Sequence, residues 1–283
     1  MIPIIDTHQH LWDLSKFKLP WLAQEPSLNR CYLPEDYRRA SEGLNIIKSV
    51  YMEVDVEPSQ QEAEARYVLD LCDTEKSLPY AAVISGRPAS EGFAAYHDLF
   101  RDRKALKGLR QVLHGPSTPI GYCLDPKFVE GIRTLGKKGL SFDLCIRSDD
   151  LPNVAKLLDL CPDTQFILDH CGNPSVKTKD LSKWKADLAK VAEKKNVAGK
   201  VSGIVASAAP GPWTADDLAP IVNHVIETFG IDRVVFGGDW PVCTLAASLR
   251  EWVEALQKIV ANRSETDRRK LFHDNALKVY RLS

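Results

Sequence analysis

The chain lacks several features that define whole classes of protein. Its seven cysteines form no CxxC pair, which excludes zinc ribbons and thioredoxin-type motifs and predicts reduced thiols. The 37 basic and 38 acidic side chains nearly cancel, so the sequence has no excess positive charge with which to bind nucleic acid. No apolar run approaches 18 residues, and no signal peptide is recognisable. We therefore expect a cytoplasmic protein that binds neither nucleic acid nor membranes.

Phosphate-binding loops are missing as well. The sequence contains no GxGxxG and no P-loop, and its first apolar strand ends in histidines instead. We therefore expect no nucleotide cofactor. The composition, 44% hydrophobic and 27% charged, is that of an ordinary globular protein and excludes a disordered chain.

Eight β-rich apolar runs are distributed over the whole length, and most pairs of runs are separated by a stretch with helical spacing. Eight strands that alternate with helices are typical of a (β/α)8 barrel, whereas a doubly wound sheet would require a glycine-rich first turn. The sequence therefore predicts an α/β fold, a (β/α)8 TIM-type barrel, as a single domain over residues 1–283. The predicted strands are 2–8, 47–53, 80–85, 107–113, 141–146, 165–170, 197–202 and 233–239, and the predicted helices are 60–72, 128–138, 151–160, 181–195, 215–229 and 246–260.

Reactive side chains cluster at the predicted carboxyl ends of the strands, where barrels of this type carry their functional groups. His8 and His10 stand at i and i+2 and leave the first strand on the same side, so both imidazoles can converge on one ion or one substrate oxygen. Asp239 follows two glycines after the last strand, and a buried carboxylate without a partner would be costly. The other candidates at strand ends are Glu53, Arg110, His114, His170 and Lys200.

Alternation within the strands predicts which side chains face the barrel interior. In the second strand we expect Val50, Met52 and Val54 to face the helices and Glu53 to face the interior. Segment 14–37 is rich in proline and aromatic residues and is long for a βα loop. We therefore expect this segment to shape the site.

These motifs, taken in order, resemble the amidohydrolase superfamily, which has a His-x-His on the first strand, a His after the sixth and an Asp after the eighth. More narrowly, the chain is similar to the amidohydrolase-2 lactonase branch, which contains sugar-lactone hydrolases such as fuconolactonases, with pyrone-dicarboxylate lactonases as relatives. The resemblance covers nearly the full length. The matching segments are IIDTHQHLWD (4–13), LPWL (19–22), VYMEVDVEPSQQEAEARYV (50–68), GLRQVLHG (108–115), DHCGNP (169–174), KVSG (200–203), FGGDWPV (236–242) and DNALKVYRL (274–282).

The resemblance implies a hydrolase that opens a small lactone, of the sugar (aldono) type. Asp239 would then be the base that activates water, and His8, His10 and His170 would surround the carbonyl group or hold a metal. The candidates for binding this small-molecule substrate are Glu53, Arg110, His114, Lys200 and Trp240.

The cofactor question stays open at the level of sequence. The segment FDLCIR (142–147) offers no histidine at strand five, and Lys107 stands at the start of strand four, so a two-metal centre is not expected. The remaining possibilities are one divalent metal or none. A metal would be held by His8, His10 and Asp239, with Glu53 or His170 as a fourth ligand. These ligands favour zinc without excluding manganese.

Two other functions are compatible with the sequence. One is a metal-dependent decarboxylase of an aromatic or unsaturated acid on the same fold, and the other is a non-catalytic binder of sugar acids. The sequence identifies neither the sugar nor the oligomeric state, so a homo-oligomer remains open.

Overall fold

Eight parallel strands form one sheet in the computed structural model, which describes residues 2–75, 78–115, 118–178 and 180–282. The strands follow each other in chain order. A bridge between Gln9 and Trp240 joins the first strand to the segment that follows the last strand and closes the sheet into a barrel, which confirms the predicted (β/α)8 fold. The strands are β1 (Ile4–Gln9), β2 (Ile46–Met52), β3 (Ala81–Ser85), β4 (Leu106–Val112), β5 (Ser141–Cys145), β6 (Phe166–Leu168), β7 (Val197–Val201) and β8 (Val234–Phe236).

Helices occupy the connections between the strands, and all six predicted helices are present. Local signals fix where two of them begin: the Asp125 carboxylate accepts a hydrogen bond from the Lys127 amide at 2.8 Å, and Ser248 forms a capping box with Glu251. Within the described residues, no helix has the length and apolar character that a membrane span requires. The helices are α1 (Pro34–Ser41), α2 (Gln61–Glu75), α3 (Phe93–Asp98), α4 (Pro126–Lys137), α5 (Leu151–Leu160), α6 (Ser182–Ala192), α7 (Ala215–Phe229), α8 (Leu249–Ile259), α9 (Glu265–Arg269) and α10 (Asn275–Val279).

The barrel has two buried apolar layers. One lies between the strands and the helices, and the other lies in the interior that the sheet encloses. Val50 and Met52 belong to the inner layer, so the prediction that they face the helices is wrong. Tyr51 instead faces α2 and donates a hydrogen bond to Glu64 at 2.9 Å. The alternation misleads here because both faces of a barrel strand are buried, so apolar residues occupy either one. The inner layer consists of Ile5, Val50, Met52, Ala81, Val83, Ile167, Val235, Ala276, Tyr280 and Leu282.

The buried carboxylate of Asp6 ties the seam between β1 and β8 to helix α1. Its Oδ1 accepts hydrogen bonds from the amides of Gly238 at 2.7 Å and His8 at 3.0 Å, and its Oδ2 accepts one from the Tyr37 hydroxyl at 2.7 Å. A Cβ at position 238 would stand 2.5 Å from Asp6 Oδ2, so only glycine allows this approach. The seam therefore depends on a polar contact as well as on strand pairing.

Removing the Tyr37 hydroxyl tests this contact. We expect Tyr37→Phe to lower the free energy of unfolding by about 1–3 kcal/mol, because Asp6 Oδ2 loses its donor inside the protein. Urea unfolding measures the loss. The matched control is Tyr96→Phe, since the Tyr96 hydroxyl makes only a long contact of 3.5 Å to the Gln61 carbonyl. Equal losses in the two variants would contradict a special role for the Asp6 contact.

Candidate active site

A cavity of about 370 Å³ opens at the carboxyl ends of the strands. This volume lies at the small end of the range of roughly 300–1,000 Å³ found for ligand pockets. Segment 14–37 contributes Trp21, Glu25 and Leu28 to the wall, so the prediction that it shapes the site is confirmed. The other lining residues are His10, Val54, Asp55, Arg110, Val112, His114, Cys145, His170, Asn173, Gly203, Ala206, Ser207, Asp239, Val242 and Leu245.

Aromatic packing holds segment 14–37 over the barrel. Trp12 makes edge contacts with Trp21 and with Tyr32, at ring-centre distances of 5.6 and 4.9 Å. The Trp21 indole donates a hydrogen bond to the Val54 carbonyl at 2.8 Å, just beyond the end of β2. Trp21 is thus fixed to the rim of the barrel and forms part of the cavity wall.

His8, His10 and Asp239 meet beneath the cavity. The Nε2 atoms of His8 and His10 lie 3.2 Å apart. Asp239 Oδ1 lies 3.5 Å from His8 Nε2 and 3.4 Å from His10 Nε2. His10 Nδ1 is 2.9 Å from the Met52 carbonyl oxygen, which can only accept, so this nitrogen carries a proton. The structure therefore brings together three of the candidate site residues, one of them more than 200 positions from the other two.

His170 joins this group from the loop after β6. Its ring centre lies 4.6 Å from that of His8, and its Nδ1 lies 2.9 Å from the Ser202 hydroxyl. Ligand atoms of His8, His170 and Asp239 all fall within 4.8 Å of one another. The His170 ring lies directly against Gly203, where a Cβ would stand 2.2 Å from Nδ1.

A buried ionic network lies next to the histidines. Lys200 Nζ is 2.7 Å from Asp143 Oδ2 and 2.7 Å from Asp169 Oδ1. Arg110 Nε donates to Glu53 Oε1 at 2.9 Å, and Arg110 Nη1 lies 3.5 Å from Asp169 Oδ2. Lys200, Glu53, Asp143 and Asp169 are fully buried, whereas Arg110 also reaches the cavity.

The candidate residues thus separate into two groups. His10, Arg110, His114, His170 and Asp239 line the cavity. Three others, His8, Glu53 and Lys200, are fully buried and are not among its lining residues.

Trp240 is also buried away from the cavity lining. Its ring packs against Tyr32 and Tyr37, with ring centres 5.3 and 5.4 Å away, and its carbonyl accepts a hydrogen bond from the His10 amide at 2.7 Å. This position holds β1 against the chain that follows β8. The structure therefore gives Trp240 a packing environment, with no direct exposure to a ligand in the cavity.

Sequence reasoning did not recognise Asp143 and Asp169 as partners of Lys200. The available signal was weak. Asp143 lies on the inward face of β5, and Lys200 lies inward on β7, but alternation gives no information about which inward side chains reach each other.

Electrostatics keep Asp239 ionised. Burial alone would raise the pKa of its carboxyl group, but the neighbouring His170, a hydrogen bond from His10 and the nearby His8 outweigh burial and lower this pKa to about 2. Burial lowers the pKa of His8 well below its ordinary value, as it does that of His170. At neutral pH the site therefore holds the Asp239 carboxylate beside the neutral imidazoles of His8 and His170.

The atoms of His8, His10 and Asp239 fit one divalent ion in donor type and in spacing. Ligands of a tetrahedral zinc ion with bonds of 2.0–2.1 Å stand about 3.3 Å apart, and the three separations here are 3.2, 3.4 and 3.5 Å. Four carboxylates around the site face only two cations, so a dication would also balance the buried charge. The four are Glu53, Asp143, Asp169 and Asp239, and the cations are Arg110 and Lys200.

Glu53 is not directed at the possible metal site, because both of its carboxylate oxygens accept hydrogen bonds from other groups. Its Oε1 accepts from Arg110 Nε at 2.9 Å and its Oε2 from the Asp55 amide at 2.8 Å. Among the described residues, the close groups of possible ligand atoms do not include Glu53. The carboxylate therefore orients Arg110 in this arrangement.

The chain belongs to the amidohydrolase family: the model of that family, described as Amidohydrolase, matches residues 5–282. This confirms the family resemblance. The L-fucono-1,5-lactonase of Burkholderia multivorans is 27% identical over 292 residues, which covers 98% of this chain and 96% of that protein. The L-rhamnono-gamma-lactonase of Scheffersomyces stipitis is 25% identical over 235 residues, 72% of this chain and 68% of that protein.

A solved structure of an amidohydrolase from Burkholderia multivorans with bound zinc is similar over the full length. It superimposes with a TM-score of 0.90 at 26% identity and covers 99% of this chain and 100% of that chain. The similarity supports the barrel fold.

The contact between Gly203 and His170 gives a testable prediction. Position 203 has a φ of +67° and no room for a Cβ, so Gly203→Ala must displace the His170 ring or the backbone. We expect a loss of at least about 1 kcal/mol in the free energy of unfolding, measured in urea, and a shifted His170 in a crystal structure. Gly92→Ala is the control because a Cβ there meets nothing within 4 Å. An unmoved His170 in Gly203→Ala would contradict the inferred constraint.

Proposed function

We propose that the protein is a hydrolase that opens a small sugar (aldono) lactone by adding water to its carbonyl group. The observation that carries the proposal is the ionised Asp239 at the base of the cavity, with His10, His170 and Arg110 beside it. Relatives named as lactonases of two different sugar acids, at 25% and 27% identity, support the substrate class.

The residues of the chain can carry the reaction in two steps. Asp239 accepts a proton from a water molecule while the water oxygen bonds to the carbonyl carbon, and Arg110 and His170 face the negative charge that develops on the carbonyl oxygen. The ring C–O bond then breaks, and Asp239 transfers the proton that it took from water to the leaving oxygen. The product is the open hydroxy acid, and the enzyme returns to its starting state.

The low pKa of Asp239 favours an ester as the substrate. A carboxylate with a pKa of about 2 is ionised at neutral pH but is a weak base toward water. It therefore needs a carbonyl group that is already reactive, as in a lactone. Amides are harder to cleave and would require stronger activation of the water.

The cavity also favours a neutral substrate. Among the described residues that line it, Arg110 is the only lysine or arginine, and its Nε and Nη2 are engaged by Glu53. Asp55 is paired with Arg87 at 2.9 Å, which leaves Glu25 and Asp239 as acidic groups without a matching cation on the wall. A substrate carboxylate would lack a partner here, whereas hydroxyl groups could bond to Glu25. This argues against a dicarboxylate and against the alternative of a decarboxylase.

A divalent metal, with zinc favoured by the nitrogen and oxygen donors, would be held by His8, His10 and Asp239. Bound there, it would supply Lewis acidity that polarises a carbonyl oxygen. The remaining tasks, namely proton transfer and orientation of the carbonyl group, belong to the side chains described above.

Replacing the proposed base tests the mechanism. We expect Asp239→Asn to lower kcat for lactone hydrolysis by about 10²–10⁴-fold, the usual contribution of a general base, while circular dichroism shows an intact fold. Hydrolysis is followed with a pH indicator, since each turnover releases acid. The control is Asp149→Asn, which removes an exposed carboxylate. Turnover by Asp239→Asn close to that of the control would refute the assigned role.

A substrate panel tests the charge argument. We expect neutral aldonolactones to be hydrolysed with kcat/KM at least about tenfold above lactones that carry an additional carboxylate, because the described residues of the wall include no free cation for it. Carbon dioxide is measured in parallel with acid release. Release of carbon dioxide from an aromatic or unsaturated acid would favour the decarboxylase, and tight binding of sugar acids without turnover would favour a non-catalytic binder.

A further inference from the structure

Asp55 contributes a partly exposed carboxylate to the cavity wall just beyond the end of β2. Its side chain is 40% exposed, whereas those of His10, Arg110 and Asp239 are 7%, 5% and 4% exposed. The reactive groups of the proposed function therefore lie deeper than Asp55. A small ligand whose carbonyl group reaches the deep groups still has its remaining atoms in the more open part of the cavity, where Asp55 can contact them.

Arg87 fixes the orientation of this carboxylate. Its Nη2 donates a hydrogen bond to Asp55 Oδ1 at 2.9 Å. Its Nη1 donates to the Ser85 hydroxyl at 3.0 Å and to the Gly86 carbonyl at 3.2 Å, at the end of β3. Arg87 itself is not among the described residues that line the cavity. The guanidinium group is therefore anchored to the barrel and holds Asp55 from behind the wall.

The second carboxylate oxygen of Asp55 remains available to a ligand. Within the described ranges of the chain, no donor forms a hydrogen bond with Asp55 Oδ2. An ionised carboxylate accepts hydrogen bonds on both oxygens and a protonated one can also donate, so Oδ2 can bond to a hydroxyl group in either state. When Asp55 is ionised, Arg87 balances its charge. The pair therefore suits an uncharged hydroxyl group better than a cation.

Glu53 links Asp55 to the group that faces the carbonyl oxygen in the proposed function. Its Oε2 accepts a hydrogen bond from the Asp55 amide at 2.8 Å, and its Oε1 accepts one from Arg110 Nε at 2.9 Å. Glu53 is fully buried, which shields both of these oxygens from solvent. One buried side chain thus fixes the positions of Arg110 and Asp55 relative to each other.

We propose that Asp55 is a specificity-determining residue whose Oδ2 forms a hydrogen bond with a hydroxyl group of the lactone, and that Arg87 is the residue that positions it. The substrate then has two fixed points, its carbonyl group at Arg110 and His170 and one hydroxyl group at Asp55. Two fixed points determine how the lactone ring lies relative to Asp239, which a contact to the carbonyl group alone does not. The inference rests on the proposed function and adds to it the group that distinguishes hydroxylated lactones from unsubstituted ones.

Asp55→Gly removes the carboxylate and keeps the backbone conformation, because Asp55 has a φ of +49°, which glycine adopts without strain. The measured quantity is the ratio of kcat/KM for an aldonolactone to kcat/KM for the unsubstituted lactone of the same ring size, γ-butyrolactone or δ-valerolactone. We expect this ratio to fall about 10–100-fold in the variant, the effect of losing a hydrogen bond to a charged group. An unchanged ratio would overturn the proposal, since a purely structural defect lowers both values alike.

Arg87→Gln tests the positioning. We expect the same ratio to fall about 2–10-fold, because substrate binding must then order a side chain that Arg87 otherwise holds in place. Arg87→Lys keeps a cation for Asp55 and should lose less than Arg87→Gln. Equal losses of kcat/KM for both lactones in Arg87→Gln, with an unchanged ratio, would reject Arg87 as the positioning residue.

The matched control is Arg103→Gln. Arg103 Nη2 donates to Asp70 Oδ1 at the same distance of 2.9 Å, but neither residue is among the described residues of the cavity wall. The ratio should therefore equal that of the original protein, and a fall as large as in Arg87→Gln would contradict the assignment. Thermal unfolding shows whether each variant is folded; if Arg87→Gln is not, Asp55→Gly still decides the role of Asp55.

Binding of a sugar lactam separates this inference from the proposed function. The lactam keeps the hydroxyl groups and replaces the ring ester with an amide, which the weak base Asp239 is not expected to cleave. We expect calorimetry to show about 10–100-fold weaker binding to Asp55→Gly than to the original protein. Weaker binding to the variant, without turnover of any lactone by the original protein, would reject the proposed function and leave hydroxyl recognition standing. Equal affinities, with lactone turnover intact, would overturn the inference and leave the proposed function standing.

Discussion

Closure of the barrel between β1 and β8 is the constraint on which the site depends. The Asp239 amide donates to the His8 carbonyl at 2.7 Å, and the His10 amide donates to the Trp240 carbonyl at the same distance. These alternating bonds fix the register of the two chain segments. Because a slip of one residue would turn His8 and His10 to the opposite face, the register itself brings the imidazoles to the carboxylate. The Asp6 carboxylate, which bonds to both segments, reinforces this register.

The ionic network next to the histidines serves orientation more than stability. Buried ion pairs lose much of their attraction to desolvation, and apolar replacements of the same volume are often at least as stable. Here Lys200 contacts Asp143, Asp169 and His8 at once, and Arg110 joins Glu53 to the cavity. Apolar side chains would fill the barrel but could not form directed polar contacts with His8, such as those that Lys200 and Asp169 make with its Nδ1 at 3.3 and 3.5 Å. The network is therefore best understood as support for the groups above it.

The sequence was sufficient to predict the barrel, because eight β-rich runs differ clearly from the amphipathic helices between them. Helices 151–160 and 215–229 begin and end where predicted. The sequence was insufficient to predict how deep inside the barrel each side chain lies. Alternation indicates which face a side chain occupies but not how deep it lies. Lys200 lies on the inward face of β7 and is fully buried, whereas His170, in the loop after β6, reaches the cavity. Val50 and Met52 were assigned to the wrong face because an apolar residue suits both sides of a buried strand.

Depth also explains how one group of residues can combine ionised and neutral members. Asp239 reaches the cavity, where the imidazoles around it keep its pKa near 2 and its charge in place. His8 lies deeper and is fully buried, and burial favours its neutral form. A neutral imidazole can lie 3.5 Å from the Asp239 carboxylate without neutralising its negative charge. In the proposed function, the weak base and the lack of a free cation among the described lining residues suit the same kind of ligand, an uncharged molecule with a carbonyl group that is already reactive.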